Sequence, residues 1–246
     1  MRTWFGLGAL VLAEIGYPLT DGRARAALVV ATVCLGFALS VWHAYSTRGT
    51  RTAGALVLVT TGGGLLVEAV GRSTGHPFGA YDYTGALGPR LLGVPLVIPL
   101  AWTWMAWPAW VAAGRLTARP LARVGVAGLG LAAWDLFLDP QMVSQRYWLW
   151  HTTTPALPGV PGIPLTNYLG WLGVALALTA LLRLALGDDP PRPGADAPMY
   201  ALYLWTYTSS IMAHGLFLGL PASAAWGAVG MGLVAVPLAV RLWRSS

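Results

Sequence analysis

Apolar residues in this chain run in long stretches, and the polar residues gather between them. A helix that crosses the hydrocarbon core needs about 20 mostly apolar residues. Stretches that meet or approach this length fall at about 3–20, 26–45, 53–70, 94–113, 120–139, 167–186, 199–219 and 222–242. The pattern predicts an all-α fold, a polytopic transmembrane bundle of about seven to eight helices, in one integral membrane domain over residues 1–246. The first stretch holds Glu14 and ends at Pro18 without a small-residue cleavage pattern, so it is expected as a retained helix. Pro120 suits the first turn of the fifth helix, and Pro140 is expected to close that helix just after Asp139.

Two connections are long and rich in Gly, Pro and aromatic residues: Gly71–Gly93 and Pro140–Thr166. Both fall on one predicted side, where ordered loops of this kind would cap or re-enter a cavity. The Gly187–Pro198 linker, with Asp188, Asp189, Arg192 and Asp196, is expected to be solvated and to carry no chemistry. Arginines are concentrated on the even-numbered connections and the termini, which predicts cytoplasmic termini. The expected location is the inner membrane of a bacterial cell, crossed several times.

Composition agrees with this picture. The chain is 56% hydrophobic and only 10% charged, against about 25% charged in soluble domains. Its net charge of +6 comes from arginines placed between apolar stretches, so topology explains the charge and nucleic-acid binding is not expected. Cys34 is the one cysteine, expected as a buried structural thiol. No zinc or iron–sulfur spacing exists, and the four histidines are scattered, so no metal site is expected. There is no Walker loop, dinucleotide glycine fingerprint, serine elbow or DDxxD pair.

Candidate chemistry lies in the acids. Nine acidic residues are present, and four of them, Glu14, Glu68, Asp135 and Asp139, sit inside apolar stretches, where ionised groups are costly and usually functional. Asp135 and Asp139 are four apart and share one helix face. Two carboxyls that close in a low dielectric do not both ionise readily, so the pair would hold a proton beside a carboxylate, suited to protonating a weak base. The alternative is a helix-capping Asp139 and an arginine-paired Asp135. Glu68 follows Gly62-Gly63-Gly64, which allow a close approach, and precedes His76, Tyr81, Asp82 and Tyr83; its alternative is a pair with Arg72. In the seventh stretch Tyr200, Tyr203, Tyr207, Ser210 and His214 share one face, as either a lining or an interhelical hydrogen-bonding stripe. Trp102, Trp104, Trp107 and Trp110, then Trp134, Trp148, Trp150 and Trp171, suit interfacial belts or the flat wall of a cavity for a long conjugated ligand.

At His-Pro-Phe-Gly-Ala-Tyr-Asp-Tyr (76–83), Gly-Val-Pro-Leu-Val-Ile-Pro-Leu-Ala-Trp (93–102), Asp-Leu-Phe-Leu-Asp-Pro-Gln-Met-Val (135–143), Tyr-Trp-Leu-Trp (147–150) and Gly-Ile-Pro-Leu-Thr-Asn-Tyr-Leu-Gly-Trp (162–171), the chain resembles the membrane-integral carotenoid biosynthesis family. That family contains the CruF-type carotenoid 1,2-hydratases and the bisanhydrobacterioruberin hydratases. The resemblance implies cofactor-independent addition of water across the terminal double bond of an acyclic carotenoid end group, giving a tertiary 1-hydroxy end. It implies an acyclic or monocyclic carotenoid substrate, and membrane lipid is the other expected partner. On this basis Asp135 is expected as the acid and Asp139 as its partner, or the reverse, with Glu68, His76 and Tyr81 on the water side. Phe78, Tyr83, Trp102, Trp104, Trp107, Trp134, Trp148, Asn167, Tyr207 and His214 are expected to contact substrate. A carotenoid cyclase starting from the same protonated polyene is the alternative enzyme. A carotenoid-binding protein or proton-coupled transporter is the alternative outside catalysis.

Overall fold

The computed structural model describes residues 2–245. Eight helices follow one another: α1 (Arg2–Gly16), α2 (Gly22–Arg48), α3 (Thr50–Thr74), α4 (Val97–Leu116), α5 (Pro120–Ser144), α6 (Leu165–Leu186), α7 (Pro193–Met212) and α8 (Pro221–Trp243). Among the described residues, five of them (α2, α3, α5, α6 and α8) are long and apolar enough to cross a membrane. That is fewer than the seven to eight spans expected. The shortfall has physical causes. α1 has only 15 residues. α4 carries four tryptophans, Thr103 and Pro108, and every residue from Ala101 to Gly114 is buried, so protein surrounds this helix on all sides. It packs against α2, α3, α5 and α7.

Local sequence sets how closely the helices approach. The middle of α3 winds as a π-helix over Val57–Gly62, and Thr60 and Thr61 hydrogen-bond Thr103 of α4 at 2.7 and 2.5 Å. Gly64 follows, and a Cβ there would sit 2.7 Å from the Trp102 ring. The glycine run therefore serves helix packing. α5 is tightened at Ala133–Trp134 and then continues through Pro140 to Ser144. The expected stop at Pro140 does not occur. Proline removes one helical donor, and the Leu136 carbonyl that this leaves is taken by the Ser223 hydroxyl of α8 at 2.6 Å. Likewise α3 runs on past Gly71 to Thr74 before Gly75 ends it in the left-handed region, φ 76°.

The connections sort into two ends. At one, Arg48 meets Asp189 (2.6 Å) and Asp196 (2.8 Å), Arg123 meets Asp189 (3.0 Å), and Arg115 donates to Ser245 at 2.7 Å. The linker after α6 is thus not a solvated spacer: Asp189 and Asp196 are buried within this ion cluster, and Trp110 donates to Asp189 at 3.1 Å. At the other end the two long loops pair. β1 (Tyr81–Tyr83) runs antiparallel to β4 (Trp148–Trp150), with Tyr81 opposite Trp150 and Tyr83 opposite Trp148. β2 (Arg90–Leu91) and β3 (Val94–Pro95) form a small hairpin beside them. Cys34 is exposed on the outer face of α2 and not buried as expected.

Candidate active site

Strand alternation puts successive side chains on opposite faces. In β1 and β4 it turns Tyr81, Tyr83, Trp148 and Trp150 inward, while Asp82 and Leu149 face out. The four inward rings roof a cavity that, with its mouth, holds about 1560 Å³ of empty space. Burial first, then the neighbouring Glu68, pushes the Tyr81 and Tyr83 phenols well above their ordinary range. Both hydroxyls therefore remain donors at physiological pH.

Glu68, at the end of α3, receives these donors. Tyr81 and Tyr83 donate to Oε2 at 2.5 and 2.7 Å, and Trp102 Nε1 donates to Oε1 at 3.1 Å. Arg72 lies instead near Asp82, at 3.9 Å, so the expected Glu68–Arg72 alternative is not formed. Across the cavity, α5 presents Asp135 and Asp139, 0% and 2% exposed. One amide ties them together: Asn167 Nδ2, from the first turn of α6, donates to Asp135 Oδ2 at 2.8 Å and to Asp139 Oδ2. Trp148 Nε1 donates to Asp139 Oδ1 at 3.1 Å. No arginine pairs with either acid among the described residues, and Asp135 Oδ1 is buried without a hydrogen-bond partner. Such a tight pair of carboxyls suits a shared proton. Asp139 lines the cavity and Asp135 stands behind it.

The cavity walls are indole faces. Trp102 and Trp171 stack at 4.0 Å between centroids, and Trp134 meets Trp171 edge-on at 6.4 Å and Trp104 at 5.4 Å. Phe78 and Asn167 complete this inner end. The cavity then runs outward between α1 and α7, past Glu14, which accepts from Trp205 Nε1 at 2.5 Å. Its rim carries the exposed apolar residues Ile15, Leu19, Met212 and Phe217.

Four expected site residues lie elsewhere. His76 is exposed on the outer loop surface, its ring against the Thr74 carbonyl. Trp107 is buried near the ion cluster and donates to His43 at 2.9 Å. Tyr207 donates to the Ala228 carbonyl of α8 at 3.1 Å, an interhelical bond like that of Tyr203 to Gly130 at 3.2 Å. His214 is buried behind the cavity wall between Gln141 and Ser223. Trp150 and Trp171, expected in a belt or a cavity wall, line the cavity, as do Gln141, Tyr17 and Trp205, which had not been singled out. The quoted motifs held the first three, whereas Tyr17 and Trp205 carried no signal.

Residues 26–212 match the family model described as "Carotenoid biosynthesis protein". The chain is also 33% identical over 127 residues to the bisanhydrobacterioruberin hydratase of Haloarcula japonica; the match takes in 50% of this chain and 42% of that protein. The chain thus spans less than half the length of this curated relative. No solved structure matches it. The family match covers most of the chain and all of the residues that build the cavity's inner end, and the protein belongs to the carotenoid biosynthesis family.

Proposed function

We propose that this protein is a carotenoid hydratase that adds water across the terminal C1–C2 double bond of an acyclic end group, giving a 1-hydroxy carotenoid. Family membership supplies the carotenoid, and the relative's name supplies hydration. The observation that carries the reading is a carboxyl pair, bridged by Asn167, opening on an indole-walled cavity.

A trisubstituted alkene is a poor base and needs a desolvated acid. Asp139 faces the cavity and gives its proton to C2. Asp135, held against it by Asn167, is the carboxylate of the pair and keeps the one shared proton on Asp139 until the alkene takes it; Asn167 donates to the Asp139 carboxylate that remains. Positive charge then rests on the tertiary C1. Indole faces at Trp102 and Trp171, and the Glu68 carboxyl opposite, stabilise that cation. Water bonds to C1, and the oxonium loses a proton to the Asp139 carboxylate, which restores the acid. The sum is alkene plus water giving a tertiary alcohol, with no net oxidation or reduction and hence no redox cofactor.

Purified protein in detergent, given an acyclic carotenoid and no cofactor, should form a product heavier by one water. Asp139→Asn should lower the rate about 100-fold or more, and Asp135→Asn should lower it less. Full hydration by a folded Asp139→Asn protein would refute this mechanism. A cyclised product of unchanged mass would instead support the cyclase alternative.

A further inference from the structure

Hydration needs a water held at C1, by groups other than the acid that protonates C2. Both oxygens of Asp139 and both of Glu68 already accept hydrogen bonds from the protein. Farther along the wall, Gln141 lies two residues beyond Asp139 and lines the cavity. Its side chain is fixed from behind. His214 Nε2 lies 3.1 Å from Gln141 Oε1, and His214 Nδ1 lies 2.9 Å from Ser223 Oγ. Ser223 is itself anchored on the Leu136 carbonyl. His214 sits in the π-helical turn Ala213–Phe217 that continues α7, and π turns within helices often occur at functional sites. The chain Ser223–His214–Gln141 spends its polar capacity on aiming one amide.

A second group points to the same spot. The Tyr17 hydroxyl, in the α1–α2 connection, is buried, makes no hydrogen bond of full geometry within the protein, and has the Gln141 side chain as its near polar neighbour. Tyr17 is 6% exposed, lines the cavity, and lies beside the Gln141 side chain. A buried polar atom normally finds a partner, and a water between two polar groups supplies one. We infer that Tyr17 and Gln141 bind the water that attacks the substrate cation, and that His214 and Ser223 are positioning residues for Gln141. The Gln141 amide and the Tyr17 hydroxyl each make one hydrogen bond to the water, and a remaining lone pair of the water faces C1. This inference rests on the hydratase reading above.

Protonation and water capture are separable in D2O. Deuteron transfer to C2 followed by loss of the original C2 proton returns the alkene labelled at C2, with no water added. In Gln141→Leu, hydration should fall about ten- to hundred-fold, while deuterium entry into recovered alkene stays within about two-fold of the wild-type protein. Tyr17→Phe and His214→Leu should shift the hydration-to-exchange ratio the same way, by smaller factors. A purely structural role would lower hydration and exchange together, and that result in all three variants would overturn the inference. Wild-type hydration in Gln141→Leu would overturn it too. Neither hydration nor exchange by the wild-type protein would remove the hydratase reading itself, and this inference with it.

Discussion

The hydroxyl of Ser40 donates to the carbonyl of Trp104 at 3.0 Å, and Trp104 is the residue four before Pro108. Proline 108 cannot supply the helical donor for that carbonyl, so α2 supplies one from outside. Ser223 does the same for Leu136 ahead of Pro140. Each serine thereby permits a proline inside a buried helix that lines the cavity.

Removing either hydroxyl leaves a buried carbonyl unpaired, at a cost of about 1–3 kcal/mol. Ser40→Ala and Ser223→Ala should each lower the thermal midpoint measured in detergent. Ser40→Ala should leave the hydration rate of the folded protein nearly unchanged. Ser223→Ala should also reduce it, because Ser223 supports His214.

Asn167 is the donor common to Asp135 and Asp139. Asn167→Leu keeps the volume and removes the bridge, so the two carboxyls lose their fixed geometry. Hydration should drop about ten- to hundred-fold. Unlike Gln141→Leu, this variant should lose deuterium exchange in the same proportion, since its defect lies in proton delivery. Mass analysis of product and recovered substrate reads both.

The ion cluster at the opposite end should govern acid stability. Burial pushes the Asp189 carboxyl up, and the pairs with Arg48 and Arg123 and the Trp110 hydrogen bond outweigh it, holding it below the ordinary carboxylate range. Its folded value thus lies under its unfolded value of about 3.9. The stabilisation is complete above that pH and is lost as pH falls through the folded value. Arg48→Met strips one partner from Asp189 and the ion-pair partner of Asp196, and should cost about 3–5 kcal/mol. Acid denaturation followed by circular dichroism should begin at higher pH in this variant.

Sidedness is open to a direct check. We propose that the ion-cluster end, which bears most of the arginines, faces the cytoplasm. In a Cys34→Ser background, Asp188→Cys lies at that end and Ala86→Cys at the loop end, both on exposed residues. A membrane-impermeant thiol reagent applied to intact cells should label position 86 and spare position 188. The opposite labelling would invert the assignment.

The chain displays its helices and its acids more openly than its partnerships. The i, i+4 spacing of Asp135 and Asp139 follows from helix geometry alone, and the alternations Tyr81-Asp82-Tyr83 and Trp148-Leu149-Trp150 are plain in the primary structure. That these two short strands face each other is not, because their register is set by tertiary contact between loops far apart in sequence. Asp189 and Asp196 look solvated when taken with their polar neighbours; Arg48, some 140 residues earlier, is what buries them. Pro140 obeys its local rule until a serine from α8 compensates it. His214 falls on the Tyr200–Ser210 face at 3.6 residues per turn, but the π turn starting at Ala213 breaks that period. Composition left belt and cavity wall both open for the α4 tryptophans; burial on every side excludes the belt, and Trp102 and Trp104 line the cavity while Trp107 does not.

The rim formed by Ile15, Leu19, Met212 and Phe217 has a kinetic consequence. Under the proposed hydratase reading, a polyene entering there would come from the bilayer, and its mole fraction in lipid would set the rate. Diluting vesicles with buffer should leave turnover per enzyme unchanged, and diluting the pigment with added phospholipid should slow it. Saturation is then a property of a two-dimensional solution, and apparent affinities expressed per litre of sample have no fixed meaning for such an enzyme.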